Sequence, residues 1–404
     1  MGTKSTGPSA LTEQALISPA ARAPNGAESL PQSVKMDSWY LQWTPEQRAI
    51  GYRNMDKIDA THVVRRGPSV HALPEAARRI SPGCTWNGEA MDLDSYMKAT
   101  HISGVIVLKD GEIVLERYGL GRTEKDRWLA QSISKSVTAI LAGAAVQDGY
   151  IKSMNAPVSD YIPDMKGSAY DRVTVRQLLT MTSGIKWNED WTDPNSDGFK
   201  AGRSYYEAGV NPIVAYMRHL PRVAEPGTTY NYSTGETDIA GILVSNAVGK
   251  PLSEYLSERL WQPYGMEEDA NWVVDRFGRD RGGSGISMIL RDYARIGQFM
   301  LDGGKAGAVQ VLPPGWLADA TSLQVTFSTP QRGHAAVGYG SSWWIFRDSY
   351  AALGSDGQAI FVYPQDRVVI AVNSAWPVPT TPEHWRDLEV AFVPTLHAEV
   401  LLQR

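Results

Sequence analysis

Apolar and polar positions alternate most clearly near the two ends of the chain, where they predict two β-hairpins. Residues 105–108 and 113–118 are rich in β-branched side chains and flank Lys109-Asp110-Gly111. An Asp-Gly pair between two apolar runs is a strong hairpin signal. Residues 360–362 and 367–372 form a second pair of strands around a proline-containing turn.

Between the hairpins a helical period replaces this alternation. In the stretch LAQSISKSVTAILAGAAVQDGYI, residues 129–151, apolar side chains recur at helical spacing. Between residues 150 and 280, further helical stretches such as TVRQLLTMTSG and TDIAGILVSNAVG alternate with loops rich in Trp, Asp, Asn and Pro. Strands at both ends with helices between them predict an α+β fold, in which helices flank a mostly antiparallel sheet made from both chain ends.

The same pattern predicts how the chain is divided. Residues 1–70 are expected to form an irregular N-terminal arm, since residues 1–35 are rich in Ser, Ala, Pro and Gly. Residues 71–150 and 281–404 are expected to build an α/β domain with the antiparallel sheet, and residues 151–280 an inserted, mainly helical domain. A functional site would form where these two parts meet.

Composition and charge exclude several classes of protein. A net charge of −5 argues against a nucleic-acid partner, which would require a basic face. The single cysteine, Cys84, rules out an intramolecular disulfide, and the seven histidines show no metal-ligand spacing, so we expect no metal and no cofactor. No signal peptide and no run of ~20 apolar residues is visible, which predicts a cytoplasmic protein without a membrane partner. Monomer and dimer are both open.

The stretch 129–151 carries the first candidate chemistry, because Ser132 and Lys135 form a Ser-x-x-Lys motif near its start. Residues three apart share a helix face, so the two side chains can touch. A serine hydroxyl needs a base to become a nucleophile, and a lysine can serve when its surroundings favour the neutral amine. At a first helical turn the serine's own N–H points toward a developing oxyanion. The alternative is a capping serine beside a solvated lysine.

Two later segments offer partners for this pair. In EPGTTYNYSTGETDIAG, Tyr232 precedes a second apolar helix, and a tyrosine held near a lysine can shuttle protons as phenolate. A packed aromatic ring is the alternative, and Tyr230 is a close competitor. In AALGSDGQAIFVYP, Ser355 lies between Gly354 and Gly357, and glycine lets a backbone N–H approach a ligand closely. Here the alternative is an ordinary Gly-rich turn.

In this order and spacing the three elements resemble the serine β-lactamase and penicillin-binding protein superfamily. Within it the chain is similar to class C β-lactamases, family VIII carboxylesterases and, above all, the 6-aminohexanoate-dimer (nylon oligomer) hydrolases. The resemblance extends over most of residues 100–390 through VTVRQLLTMTSGIKWNEDW, SMILRDYARIGQFMLDGG, YGSSWWIF and SAWPVPTTPEHW.

The resemblance implies a role for each candidate residue. Ser132 would be the acylated nucleophile and Lys135 its proton acceptor. Tyr232 would relay the proton to the leaving group and then activate the deacylating water. The backbone N–H groups of Ser132 and Ser355 would form the oxyanion hole.

Three departures from the superfamily pattern bear on the substrate. Thr234 stands where β-lactamases have the Asn of Tyr-x-Asn. Ala352 replaces the lysine of Lys-Thr-Gly, which helps hold a β-lactam carboxylate, so penicillins and cephalosporins are poor candidates. Trp187 stands where the nylon oligomer hydrolases have a tyrosine thought to assist the amide nitrogen. Trp can donate one hydrogen bond but cannot pass a proton through a hydroxyl, which favours esters over amides.

Aromatic and acidic residues complete the candidate site. The resemblance places five tryptophans near the cleft, where they would contact the acyl group of a small-molecule substrate: Trp187, Trp191, Trp343, Trp344 and Trp376. The alternative for each is a place in the core. Glu189 and Asp190 would attract a cationic end of the substrate, or else be solvated loop carboxylates.

The favoured hypothesis is a cofactor-free serine hydrolase that acts through an acyl-enzyme on carboxylic esters, with short linear amides as further substrates. The alternatives are a β-lactamase or D-amino-acid peptidase, and a non-catalytic penicillin-recognising protein that is acylated without turnover. No G-x-S-x-G motif occurs, which excludes an α/β-hydrolase.

Overall fold

The computed structural model describes residues 43–201 and 207–402, which form sheets flanked by helices. The strands are β1 (Thr61–Val64), β2 (Cys84–Trp86), β3 (Glu89–Met91), β4 (Ile102–Lys109), β5 (Glu112–Tyr118), β6 (Trp128–Leu129), β7 (Ala270–Val273), β8 (Ile286–Met288), β9 (Lys305–Ala306), β10 (Val309–Gln310), β11 (Val325–Thr326), β12 (Gly338–Tyr339), β13 (Trp344–Ile345), β14 (Tyr350–Gly354), β15 (Gln358–Tyr363) and β16 (Val368–Ser374).

The α-helices connect and cover these strands. They are α1 (Pro45–Gly51), α2 (Met55–Ile58), α3 (Leu93–Ala99), α4 (Ile133–Gln147), α5 (Val175–Leu179), α6 (Asp197–Lys200), α7 (Pro212–Met217), α8 (Thr234–Val248), α9 (Leu252–Leu256), α10 (Gln262–Tyr264), α11 (Leu290–Leu301), α12 (Trp316–Ala320), α13 (Pro382–Arg386) and α14 (Val393–Leu402). Within the described ranges, none of the helices is both long and apolar enough to cross a membrane.

The central sheet has eight antiparallel strands in the order β11-β12-β13-β14-β15-β16-β4-β5. Its two predicted hairpins are β4–β5 and β15–β16, and β16 pairs with β4 so that Val372 lies opposite Val105. In the first hairpin Asp110 and Gly111 have φ of 52° and 83°, the two positive angles of a type I′ turn. The sheet therefore joins both ends of the chain, and the predicted α+β fold is confirmed.

Side chains of the sheet alternate between two apolar layers, as the period of a strand requires. Val105 and Val107 belong to the cluster that also contains residues of α3 and α14. Ile106 and Leu108 point to the opposite face, where residues of α4 and α11 pack. Burying both faces makes a three-layer arrangement with the sheet in the middle.

Helix α4 lies between this sheet and α8, and every residue from 133 to 145 is buried. Small side chains let its neighbours come close: a Cβ on Gly143 would lie 2.6 Å from Cε2 of Trp316. A helix surrounded on all sides is held rigidly. Its N-terminal end is therefore a fixed platform for Ser132.

The predicted irregular arm is wrong for residues 43–64, while residues 1–42 lie outside the described residues. Residues 43–64 contain α1, α2 and β1, and β1 pairs with β7 at one edge of a second, four-stranded sheet in the order β1-β7-β8-β6. Thr44 caps α1 in a reciprocal capping box with Gln47, which gives this short helix a defined start. Prediction failed here because tertiary pairing, rather than a periodic pattern, orders the segment.

Residues 151–280 contain α5 to α10 among loops, together with β7 of the second sheet. The boundaries of the inserted helical domain stay a prediction. The cleft described next is lined by residues from this region and from the sheet.

Candidate active site

Ser132 and Lys135 meet at the start of α4. Lys135 Nζ lies 2.9 Å from Ser132 Oγ and 2.8 Å from the carbonyl oxygen of Gly283. Lys135 is 1% exposed, whereas Ser132 lines a cleft of about 980 Å³. The Ser132 side chain makes no capping hydrogen bond, and Lys135 is not solvated, so a simple cap beside a surface lysine does not describe the pair. A shielded base within reach of an accessible hydroxyl is the arrangement that activates a serine.

A strained turn between β6 and α4 presents Ser132 to the cleft. Gln131 has φ of 50°, a left-handed conformation that costs a non-glycine residue about 1–2 kcal/mol. Ser134 Oγ donates to the Gln131 carbonyl at 2.8 Å, and the Ala130 N–H donates to the carbonyl of Ile286 at 2.7 Å. These bonds hold the turn from the helix and from β8, as strained backbone at a functional site requires.

The end of β14 packs directly against this turn. A Cβ on Gly354 would lie 2.5 Å from the Ala130 carbonyl oxygen and 2.9 Å from the Ser132 nitrogen, so only glycine fits here without displacement. Ser355 follows at once and lines the same cleft as Ser132. The structure thus brings together the two segments whose N–H groups were predicted to form an oxyanion hole.

Tyr232 lies beside the serine–lysine pair, just before α8. Lys135 Nζ is 5.1 Å from the centroid of its ring, and Trp344 stacks on that ring at 5.8 Å. Ser233 caps α8 by accepting a hydrogen bond from the Glu236 N–H at 3.1 Å, which fixes the backbone that carries Tyr232. Ser132, Lys135 and Tyr232 are therefore grouped together, and Ser132 and Tyr232 line the cleft.

Tyr230 is the weaker competitor for a proton-transfer role. Its ring packs against Phe327 at 4.8 Å and Tyr339 at 5.2 Å between centroids, and its hydroxyl is buried without a hydrogen-bond partner among the described residues. Burial raises the pKa of Tyr230 well above its ordinary value, which disfavours a phenolate. It contributes to the aromatic wall of the cleft.

Glu189 is held by the protein. Its carboxylate accepts hydrogen bonds from the Thr234 N–H at 2.6 Å, from Thr234 Oγ1 at 2.7 Å and from Trp187 Nε1 at 2.7 Å. The hydroxyl of Thr234, which the resemblance was expected to place at the Asn of Tyr-x-Asn, is thus engaged by a carboxylate. Asp190 is exposed and also lines the cleft.

The five predicted tryptophans separate into two groups. Trp187, Trp191 and Trp344 line the cleft, whereas Trp343 and Trp376 do not. Trp343 is 1% exposed and packs edge-on against Tyr350 in the core, and Trp376 packs edge-on against Trp385. Placing Trp343 and Trp376 at the substrate was wrong, because Trp343 belongs to the hydrophobic core and the ring of Trp385 packs against Trp376.

Polar side chains that the sequence did not single out also line the cleft, namely Arg281, Arg332 and His334. The Arg332 guanidinium lies 4.9 Å from the centroid of the Tyr232 ring. His334 Nδ1 lies 2.6 Å from Glu389 Oε1, and Arg281 reaches the carboxylate of Asp238 at 3.5 Å. These residues lie in loops without a periodic pattern or motif, so the sequence offers no signal for them. Among the described residues, no cluster of His, Cys, Asp and Glu is suited to hold a metal ion.

The fold and the grouping of Ser132, Lys135 and Tyr232 can now be compared with known proteins, and this comparison identifies the family. A family model described as Beta-lactamase matches residues 92–392, and the chain therefore belongs to the beta-lactamase family of hydrolases. The resemblance stated from the sequence is confirmed.

Two individual relatives and one solved structure are similar to this chain. The chain is 30% identical over 385 residues to a 6-aminohexanoate-dimer hydrolase from Paenarthrobacter ureafaciens, which covers 91% of this chain and 94% of the relative. It is 27% identical over 178 residues to the esterase EstB from Burkholderia gladioli, covering 40% of this chain and 45% of that protein. A solved structure from Bacillus anthracis, provisionally named a 6-aminohexanoate-dimer hydrolase, shares the fold with a TM-score of 0.75 at 21% identity, covering 93% and 97% of the two chains.

Proposed function

We propose that the protein is a serine hydrolase that cleaves carboxylic esters of modest size through an acyl-enzyme. The observation that carries the proposal is the 2.9 Å contact between Lys135 Nζ and Ser132 Oγ in a cleft that also contains Tyr232. Similarity along most of the chain to a 6-aminohexanoate-dimer hydrolase supports a small-molecule substrate.

Acylation begins when Lys135 Nζ accepts the proton of Ser132 Oγ as that oxygen bonds to the substrate carbonyl carbon. The carbonyl electrons move onto oxygen, and the N–H groups of Ser132 and Ser355 stabilise the resulting oxyanion. When the intermediate collapses, the bond to the alcohol oxygen breaks and Tyr232 delivers a proton to it. In the second half, Tyr232 accepts a proton from water as the water oxygen attacks the acyl carbon. The bond to Ser132 Oγ then breaks, Lys135 returns its proton to that oxygen, and the acid is released.

Esters are favoured over amides because Trp187 cannot deliver a proton to an amine leaving group. An amine must be protonated to leave, whereas an alkoxide leaves with less help. The Trp187 Nε1–H is already donated to Glu189 at 2.7 Å, and an indole has no second proton to give. Short linear amides are therefore slower substrates in this proposal.

β-Lactams are disfavoured because Ala352 occupies the position of the superfamily's lysine. Ala352 is fully buried in β14, and its methyl group cannot bind a carboxylate. A β-lactam bound in this cleft would therefore lack a lysine contact to its carboxylate at this position.

Steady-state and burst kinetics on p-nitrophenyl butyrate, the linear aminohexanoate dimer and nitrocefin test the proposal. We expect the ester to be the best substrate and Ser132→Ala to lower its kcat by on the order of 10⁴-fold or more. Ser136→Ala is the matched control, since Ser136 lies one turn further along α4, bonds to the Ser342 carbonyl at 2.6 Å and does not line the cleft. It should keep its activity.

Each other outcome would contradict the proposal and favour a different mechanism or function. Full ester turnover in Ser132→Ala would remove Ser132 as the nucleophile. Nitrocefin as the best substrate would favour the β-lactamase alternative. A stoichiometric burst without further turnover would favour the non-catalytic penicillin-recognising protein, because deacylation would then be absent.

A further inference from the structure

A buried tyrosine from the N-terminal part of the chain joins the two segments that carry the predicted oxyanion N–H groups. Tyr52, the C-cap residue that follows α1, is fully buried. Its hydroxyl accepts a hydrogen bond from Gln131 Nε2 at 3.0 Å and donates one to Asp356 Oδ2 at 2.8 Å. Its carbonyl also accepts from the Leu129 N–H at 3.0 Å, which ties it to β6.

The two partners of Tyr52 adjoin the two serines in sequence. Gln131 immediately precedes Ser132, and Asp356 immediately follows Ser355. Both have left-handed backbone, with φ of 50° for Gln131 and 62° for Asp356. Such residues persist only where their surroundings hold them, so a clamp on their side chains acts directly on the direction of the adjacent N–H groups.

Arg48, on α1 one turn before Tyr52, forms an ion pair with the other carboxylate oxygen of Asp356. Its Nε lies 3.3 Å from Asp356 Oδ1, and its Nη1 donates to the Pro377 carbonyl at 3.0 Å. The Asp356 N–H donates to the Pro379 carbonyl at 2.7 Å. Asp356, Arg48 and Tyr52 are buried together, and burial with the adjacent Asp356 raises the pKa of Tyr52 well above its ordinary value, so its hydroxyl stays protonated and donates.

We propose that Tyr52 is a positioning residue, which aligns the N–H groups of Ser132 and Ser355 by bridging Gln131 and Asp356. This inference rests on the proposed function, since an oxyanion forms only if Ser132 attacks a carbonyl. Tyr52 is not among the residues that line the cleft, so we expect it to act through Gln131 and Asp356 and not by contact with substrate. Its effect is on the transition state, because the oxyanion needs aligned donors and the bound ester does not.

Tyr52→Phe tests the bridge, since it removes one oxygen and keeps the ring. We expect kcat for p-nitrophenyl butyrate to fall by about tenfold or more with KM within about threefold, because one misaligned oxyanion donor affects only the transition state. Ki for phenylboronic acid, whose tetrahedral adduct on serine places an oxygen in the hole, should rise by the same factor as kcat falls.

Tyr264→Phe is the matched control. Tyr264 is also buried and donates to an aspartate, Asp302, at 2.7 Å, but lies outside the cleft lining. It should lower Tm as Tyr52→Phe does while leaving kcat and the boronate Ki unchanged.

Gln131→Met provides a second test, because it keeps the length of the side chain and removes its donor to Tyr52. The losses of Gln131→Met and Tyr52→Phe should not add in the double variant, since both break one connection. If Tyr52→Phe changes kcat and the boronate Ki no more than Tyr264→Phe does, while Ser132→Ala is inactive, the positioning role is overturned and the proposed function stands. If Ser132→Ala is fully active, both fail.

Discussion

At the scale of single residues, the site depends on an absent side chain as much as on those present. Gly354 has ordinary extended backbone, φ −138° and ψ 148°, so its place in β14 does not need the freedom of glycine. It needs the space, because a Cβ there would meet the Ala130 carbonyl oxygen at 2.5 Å. That close approach puts Ser355 beside the turn that carries Ser132.

Gly354→Ala should therefore disable the site more than the fold. We expect the added methyl to push β14 away from Ser132, to lower kcat/KM by about 10²-fold or more and to destabilise the protein by about 1–3 kcal/mol. Gly83→Ala is the control, since nothing lies within 4 Å of its Cβ position. Ester kinetics and urea unfolding of both variants measure the effect, and unchanged kinetics in Gly354→Ala would contradict this account of the oxyanion hole.

At the scale of elements, the first turn of α8 carries a buried carboxyl, that of Glu236. Glu236 is 2% exposed, bonds to Ser183 Oγ and lies 3.4 Å from Tyr170 Oη. Burial raises the pKa of Glu236 to about 8, against the hydrogen bonds that oppose the shift. The native state therefore holds this proton more tightly than the unfolded chain, and its contribution to stability decreases as pH rises.

Glu236→Gln should remove that decrease. Between pH 4.5 and about 8, Glu236 is ionised in the unfolded chain but protonated in the native state. Each pH unit in this window therefore lowers the free energy of unfolding by about 1.4 kcal/mol, and the curve of stability against pH should be flatter for the variant than for the wild type. Urea unfolding at pH 5, 6, 7 and 8 measures the slopes. Glu89→Gln, at an exposed position of β3, should leave the slope unchanged. Parallel curves for wild type and Glu236→Gln would show that Glu236 titrates normally.

At the scale of the whole molecule, contacts between distant parts of the chain assemble the cleft. β4 and β16 join the two ends of the sheet, and α1 reaches the turn after β14 through the buried ion pair of Arg48 with Asp356, at 3.3 Å. Burial raises the pKa of Asp356 to about 6, while the nearby Arg48 opposes the shift. The N-terminal helix is thereby coupled to the sheet by charge as well as by packing.

Arg48→Met should cost about 3–5 kcal/mol of unfolding free energy at pH 8, because it leaves a buried carboxylate unpaired. The cost should be smaller at pH 5, since loss of the guanidinium raises the pKa of Asp356 further and the carboxyl is then neutral. Arg65→Met is the control: Arg65 forms an ion pair with Asp269 at 2.9 Å with 68% of its side chain exposed, and its loss should cost under about 1 kcal/mol. Equal costs at both pH values would show that the charge of Asp356 in the variant does not change between pH 8 and pH 5.

Patterns that are local in sequence were predictable. Asp110-Gly111 sets a hairpin by its own backbone preferences, and Ser132 with Lys135 share a helix face by spacing alone. The order of the Ser-x-x-Lys, tyrosine and glycine-rich segments was enough to indicate the family, which residues 92–392 confirm. The two hairpins at opposite ends likewise indicated the sheet.

Contacts between distant segments were not predictable. The sequence could not separate Trp187 and Trp344, which line the cleft, from Trp343 and Trp376, which pack elsewhere, because composition does not give the direction of a ring. Nor could it connect Tyr52 to Asp356, which are 304 positions apart. Such contacts exist only once the whole core has formed.

The sequence by itself thus determined the kinds of element, the α+β class and the chemistry that Ser132 and Lys135 could carry, because short-range backbone and side-chain preferences act within a few residues. Tertiary structure alone decided that Gly354 packs against Ser132, that Glu189 engages Thr234 and Trp187, and that α1 bridges both sides of the site. The physical reason is that close packing and buried hydrogen bonds depend on which distant surfaces meet, which no local pattern specifies.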